Sequence, residues 1–296
     1  MDATSTGVAV TPDGRALSYL EVGDPDGPLV IHNHGGPGSR FEARLFADAA
    51  RKNRIRLVCV DRPGFGGSHP QDPRTFSGWA DDLTTVADAL GHREFGVTGW
   101  SEGGPWALAA AAYLGVGRLR HVTAIAPACY GAFGENSAVD HLSRTDAFGA
   151  TLALRFPAGF RLMYATLGLT ARRFPAGYVR QVAKVGNDFD RQILQRPDVD
   201  AAFRAESAEC FAQGSAALVR DAVVLYRQWD FDVHAIERPV HLWQGLDDRF
   251  VPDPINRKVA DAMPGAVWHP VAGAGHFVAV AAADEILAVA AADLGA

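Results

Sequence analysis

Cysteine is scarce in this chain: Cys59, Cys129 and Cys210 are the only three. An odd count, at spacings that fit neither a metal site nor a disulfide framework, excludes a disulfide-stapled scaffold and points to a reducing compartment. The opening "MDATSTGVAV" lacks a basic stretch followed by an apolar one, so no export signal is expected there. No apolar run approaches the length of about 18 residues that a membrane-spanning helix needs. A cytoplasmic protein is the resulting expectation. Long runs of like charge are also missing, and the formal charge is only −6. Neither nucleic acid nor an anionic membrane is therefore expected as a partner. His, Cys and Asp do not recur at metal-ligand spacings, and no dinucleotide fingerprint follows the first strands, so neither metal nor cofactor is expected.

What remains is an ordinary globular composition, 48% hydrophobic and 21% charged, on a chain of 296 residues. "GVAVTPDG" and "ALSYLEVG" read as a hairpin around a Pro-Asp-Gly turn, and "LVIHNH" as a buried strand. A helix is expected over 41–51, followed by "IRLVCVD" as a strand. In "TFSGWADDLTTVADALG", Trp79, Leu83, Val86 and Leu90 recur at helical spacing, with Thr75 or Ser77 as N-cap and Gly91 as stop. "EFGVTGW", "EGGPWALAAAAYLG" and "HVTAIAP" continue as strand, helix and strand. "PVHLWQG", "DPINRKVADAM" and "AVWHPVAG" resume the alternation, before a last helix from about 277. Such alternation implies parallel βαβ units. Between Pro127 and Pro239, however, lie far more residues than a crossover requires, helical in pattern and rich in aromatics. A helical subdomain over the C-terminal strand ends accounts for them, where open parallel sheets bind ligands.

Gly99-Trp100-Ser101-Glu102-Gly103 sits between a strand and a helix and fits G-x-S-x-G. A serine on a strained strand-to-helix turn brings backbone close to neighbouring elements, so residues at Gly99 and Gly103 must be small. His34-Gly35-Gly36-Pro37-Gly38 follows the third strand. A tight turn there can aim a backbone N–H at an oxyanion, and Pro37, having none, leaves that to Gly36 or Gly35. "DRPGFGGS" follows the fourth strand, "GLDDRFVP" the seventh and "GAGHF" the eighth, supplying an acid and a histidine in the order Ser…Asp…His.

Together these motifs resemble the α/β-hydrolase fold superfamily with a helical cap, across nearly the whole chain apart from the cap itself. The resemblance implies a mostly parallel eight-stranded sheet flanked by helices, with core residues 1–129 and 234–296 and a cap at 130–233. It also implies Ser101 as nucleophile, His276 as base and Asp248 as acid, since G-x-x-D-x-x-V-P fits Gly245, Asp248, Val251 and Pro252 better with Asp248 than with Asp247. The backbone N–H groups of Gly36 and Glu102 become the oxyanion donors, braced by His34 and Gly35. Glu102's own carboxylate is expected to face solvent at a helix start. His32, His121, His241 and His269 are expected to be structural, Cys129 a buried small hydrophobe, and Glu206 and Glu209 a solvated helix face.

A serine at the elbow argues against haloalkane dehalogenase and epoxide hydrolase chemistry, since similar folds use aspartate there. "HGGPG" is similar to proline iminopeptidases, but Asp61-Arg62-Pro63-Gly64 and Gly99-Trp100-Ser101-Glu102-Gly103 depart from their D-Q-R-G and G-G-S-W-G. The leading expectation is hydrolysis of small apolar carboxylic esters or lactones through an acyl-enzyme, by a monomer or homodimer. The alternatives are an aminopeptidase of the iminopeptidase type, a C–C bond hydrolase, or a ligand receptor without useful turnover.

Overall fold

A computed structural model of the chain describes residues 4–295. The elements run β1 (Ser5–Val10), β2 (Ala16–Gly23), β3 (Leu29–Asn33), α1 (Ala47–Lys52), β4 (Arg56–Val60), α2 (Phe76–Ala89), β5 (Phe95–Trp100), α3 (Gly104–Tyr113) and β6 (Leu119–Ile125). Six helices follow: α4 (Arg144–Arg155), α5 (Pro157–Arg173), α6 (Pro175–Val185), α7 (Asp188–Leu194), α8 (Pro197–Cys210) and α9 (Ala216–Tyr226). The chain closes with β7 (Val240–Gly245), α10 (Asp253–Ala262), β8 (Ala266–Val271), α11 (Val278–Ala281) and α12 (Ala283–Leu294).

The eight strands form one sheet in the order β1-β2-β4-β3-β5-β6-β7-β8. β1 pairs antiparallel with β2, Val10 opposite Ala16, and β2 antiparallel with β4; all later pairings are parallel. The central strands β3 and β5 are buried along their whole length because both faces of the sheet are covered there, whereas the edge strands β1 and β8 stay partly to largely exposed. Leu29 and Ile31 of β3 enter a core shared with Trp79, Leu83 and Val86 of α2, Trp106 and Leu108 of α3, and Ile255 and Val259 of α10. Val30 points the other way, as do Leu57 and Cys59 of β4, into a core shared with Ala49 and Ala50 of α1 and Ile286 and Leu287 of α12. The period-two alternation of each strand thus feeds two separate helical layers.

Two helix expectations shift at their edges, and of the two caps expected for α2 one is chosen. Residues 40–46 wind as a 3₁₀ turn before α1 begins, which carries the buried Glu42 inward toward β3. Thr75 is the cap of α2, its hydroxyl accepting the Gly78 N–H at 3.1 Å. The last helix breaks at Ala282 into α11 and α12.

The insertion α4–α9 is tied to the sheet by a buried charge cluster. Asp221 of α9 accepts Arg62 Nε at 2.6 Å and Arg74 Nε at 3.0 Å, with all three side chains at most 2% exposed. Two guanidiniums around one carboxylate, cut off from water, make this joint intolerant of losing its acid.

Candidate functional site

The turn after β5 carries its strain on Ser101 itself, which adopts φ +56°, a left-handed conformation uncommon outside glycine. The glycines around it serve crowding. A Cβ on Gly99 would stand 2.2 Å from the Gly103 carbonyl oxygen, and one on Gly103 would stand 2.0 Å from the Asn33 oxygen. Backbone from β3, β5 and the start of α3 therefore passes too closely for any side chain, and Ser101 is presented at the strand end.

The loop after β3 wraps over the serine. Glu42 accepts the Gly35 N–H with both carboxylate oxygens, at 3.0 and 3.1 Å, so that N–H is already committed and Gly36 is the donor left for an oxyanion. His32 bonds the same carboxylate through Nε2 at 2.7 Å and Thr98 through Nδ1 at 2.8 Å, a structural role as expected. His34 braces the loop from beneath. Its Nε2 accepts the Arg62 N–H at 3.2 Å, which requires the proton on Nδ1, and Nδ1 donates to the Gly35 carbonyl at 2.8 Å. Burial and the neighbouring Arg62 charge push this imidazole well below its ordinary pKa, keeping it neutral.

Across the pocket, Asp248 Oδ2 bonds His276 Nδ1 at 2.7 Å, while its Oδ1 accepts the N–H groups of Phe250 and Val251 at 2.7 and 3.0 Å. Asp247 is exposed instead. Burial disfavours the charged His276 ring, but the Asp248 charge and hydrogen bond outweigh it, and the pKa lies above the ordinary histidine value. The Trp100 indole donates to the His276 carbonyl at 3.1 Å. Asp190 of α7, unseen in the sequence reading, accepts the Phe277 N–H at 2.9 Å and adds negative field at His276. Its signal was an Asn-x-x-Asp capping box, which says nothing of the histidine far along the chain.

Ser101, His276, Gly35, Gly36 and Glu102 line one cavity of about 270 Å³ with Tyr130 and with Tyr164, Tyr178, Glu206 and Tyr226 of the insertion. Two expectations about acids fail here. Glu102 does not face solvent: its carboxylate lies against Gly36, with Oε2 buried and without a hydrogen-bond partner. Burial raises its pKa to about 7 against the opposing pull of Arg62. The elbow aims the residue after the serine under the loop, leaving Glu102 half-buried with its Oε2 out of reach of solvent. Nor do Glu206 and Glu209 share a solvated face. Glu209 pairs with Arg40 at 2.7 Å, whereas Glu206 is buried in the cavity wall with a partnerless Oε2, its pKa raised by burial and by Glu42. Helical spacing says which residues share a face, but not that the face turns toward a pocket.

Cys129 is buried, and burial pushes its thiol upward, as suits a packed hydrophobe. His121, His241 and Asp293 bring ligand atoms within 4.8 Å of one another, a set drawn from β6, β7 and α12 that linear spacing could not show. Asp293 Oδ2 already takes His121 Nδ1 at 2.8 Å, and the set stands near the N-terminal strand ends, apart from the cavity. Among the described residues, no helix is long and apolar enough to cross a membrane.

Known proteins give a consistent family. A proline iminopeptidase from Lacticaseibacillus rhamnosus is 28% identical over 294 positions, covering 92% of this chain and 91% of that protein. Solved structures with the same fold include a bromoperoxidase from Bacillus anthracis (TM-score 0.71, 18% identity, 99% of this chain and 100% of the other). A thermophilic esterase from Thermogutta terrifontis superposes with a TM-score of 0.67 at 17% identity, over 96% of each chain. The profile of the alpha/beta hydrolase fold matches residues 28–281, and with the sheet order and strand-end loops above it the chain belongs to the α/β-hydrolase fold family.

Proposed function

We propose that the protein is a serine hydrolase of small carboxylic esters or lactones, working through an acyl-enzyme on Ser101. The observation that carries this is the Asp248–His276 pair at 2.7 Å, facing the same cavity as a serine held at positive φ. In this reading His276 takes the Ser101 proton as Oγ bonds the substrate carbonyl carbon, and Asp248 holds the ring and balances its charge. The Gly36 and Glu102 N–H groups stabilise the resulting oxyanion. When the C–O bond breaks, His276 returns the proton to the leaving alcohol; a water then releases the acid by the same steps reversed. Burial favours the protonated forms of Glu102 and Glu206, and Tyr130, Tyr164, Tyr178, Tyr226 and Phe203 give the cavity a largely aromatic wall, which suits an apolar uncharged ester.

The same two carboxyls support a second reading. Each keeps an unpaired buried oxygen, and a substrate bearing an ammonium beside its scissile carbonyl would draw them into ionising and pairing. That is the aminopeptidase alternative, in line with the iminopeptidase relative. A panel of p-nitrophenyl esters beside proline p-nitroanilide separates the two. Ester turnover that disappears in Ser101→Ala is expected. Anilide turnover without ester turnover would transfer the assignment to the second reading, and tight ligand binding with neither turnover would favour a receptor.

A further inference from the structure

The formal charge of −6 hides a strong segregation. Residues 144–185, spanning α4, α5 and α6, hold Arg144, Arg155, Arg161, Arg172, Arg173, Arg180 and Lys184 against the single acid Asp146. This segment is therefore +6, and the rest of the chain −12. All seven cations are exposed, and among the described residues none of them enters an ion pair. Elsewhere, arginines such as Arg15, Arg56, Arg118 and Arg257 are paired with acids.

The same stretch concentrates exposed apolar side chains. Among the described residues, Phe148, Phe156, Leu162, Met163, Leu169, Phe174 and Val185 lie here, seven of the thirteen large hydrophobics that remain exposed. Their placement on α5 is ordered. Phe160, Gly168 and Ala171 are buried against the rest of the insertion, whereas Ala158, Leu162, Ala165 and Leu169 recur at helical spacing on the outer face. Arg161, Arg172 and Arg173 flank that stripe. The pentapeptide Arg-Phe-Pro-Ala-Gly occurs twice, beginning at Arg155 and Arg173, and so brackets α5 with two exposed phenylalanines, 59% and 66% accessible. A helix of 17 residues, about 25 Å long, thus presents an apolar centre, basic edges and an aromatic anchor at each end. That combination suits the boundary between headgroups and acyl chains of an anionic bilayer.

We infer that the outer face of α4–α6 docks on an anionic lipid surface. The low net charge argued against such a partner only because the acidic remainder masks the basic face. A symmetric pair of chains meeting through this face would set +6 against +6, so charge complementarity selects the bilayer over a second copy. Docking would also serve substrate entry. Met163, partly exposed on α5, lines a crevice with Asp146, Tyr164 and Tyr226, and those three residues also line the candidate catalytic cavity. An apolar substrate leaving the membrane would meet that opening first.

The test is cosedimentation of the full chain with phosphatidylcholine vesicles, and with vesicles in which about one third of the lipid is phosphatidylglycerol. Binding to the anionic vesicles should be at least about tenfold tighter and should collapse at high salt. Arg172→Glu with Arg173→Glu should abolish it, and Leu169→Ser with Phe174→Ser should weaken it about tenfold, all four residues being exposed and their changes leaving the melting temperature alone. Ser101→Ala should bind as the parent does, which separates docking from the hydrolase reading. Equal or absent binding to the two vesicle types would overturn the inference, as would binding indifferent to these substitutions. A concentration-dependent dimer that they dissolve would reassign the face to a second copy and overturn it too.

Discussion

Replacing Glu102 by Gln should make the protein more stable, and only at neutral and alkaline pH. The carboxyl titrates near 7 in the fold against 4.5 unperturbed, because burial under the Gly36 loop penalises its ionised form. The folded state therefore holds this proton more tightly than the unfolded chain does. Stability falls as pH rises from about 4.5 toward about 7 and stays lowered above that. At about 1.4 kcal/mol per pH unit the penalty reaches about 3 kcal/mol, and solvent in the pocket trims it to about 1–3 kcal/mol. Gln has the shape of the protonated acid and cannot ionise. Urea unfolding of the two proteins should thus give nearly equal stability around pH 4 and a more stable variant around pH 8, since other groups cancel in the difference. A stability difference that is the same at both pH values would refute the placement of this carboxyl in a desolvated site.

Gly103→Val should reduce ester turnover at least about a hundredfold and lower the melting temperature, because its Cβ would press on the Asn33 carbonyl at 2.0 Å; Gly115→Ala, with nothing within 4 Å, is the control that should change neither. A fully active Gly103→Val would refute the crowded-elbow account. Asp248→Asn should cut kcat by about 10⁴ while Asp247→Asn is mild, as steady-state kinetics would show; the reverse ranking would assign the orienting acid to the exposed neighbour. Activity should rise with pH through an apparent pKa above the ordinary histidine value, since only neutral His276 can accept a proton. Asp190→Asn should move that rise to lower pH by removing a nearby negative charge, and an unmoved profile would confine Asp190 to holding the Phe277 backbone.

Much of this molecule is written locally. Alternating apolar runs set the strands and helices, because a strand buried on both faces and a helix with one apolar stripe each need only neighbours in sequence to be recognised. The motif glycines were legible for the same reason: Gly99 and Gly103 lie within two residues of the serine whose turn they permit, and the structure supplies the contacts that forbid larger residues there. The long gap between β6 and β7 was also visible, since it is a matter of counting.

What the linear pattern could not carry is direction and distant company. Glu102 and Glu206 read as surface acids in the linear pattern because helical periodicity ranks faces without saying what covers them. Only the packing of the β3 loop on one, and of the insertion against the sheet on the other, turned both inward and withdrew their water. Asp190 came beside His276, and Asp221 between Arg62 and Arg74, through chain separations that no local signal spans. Charge behaved alike: the total of −6 is a property of composition, whereas the fold decides that the cations of α4–α6 stay exposed and unpaired while arginines elsewhere, such as Arg15 and Arg56, meet acids. Sequence determined which groups the protein owns and which backbone turns it can make; the tertiary structure decided which of those groups lost their solvent, and with it their ordinary chemistry.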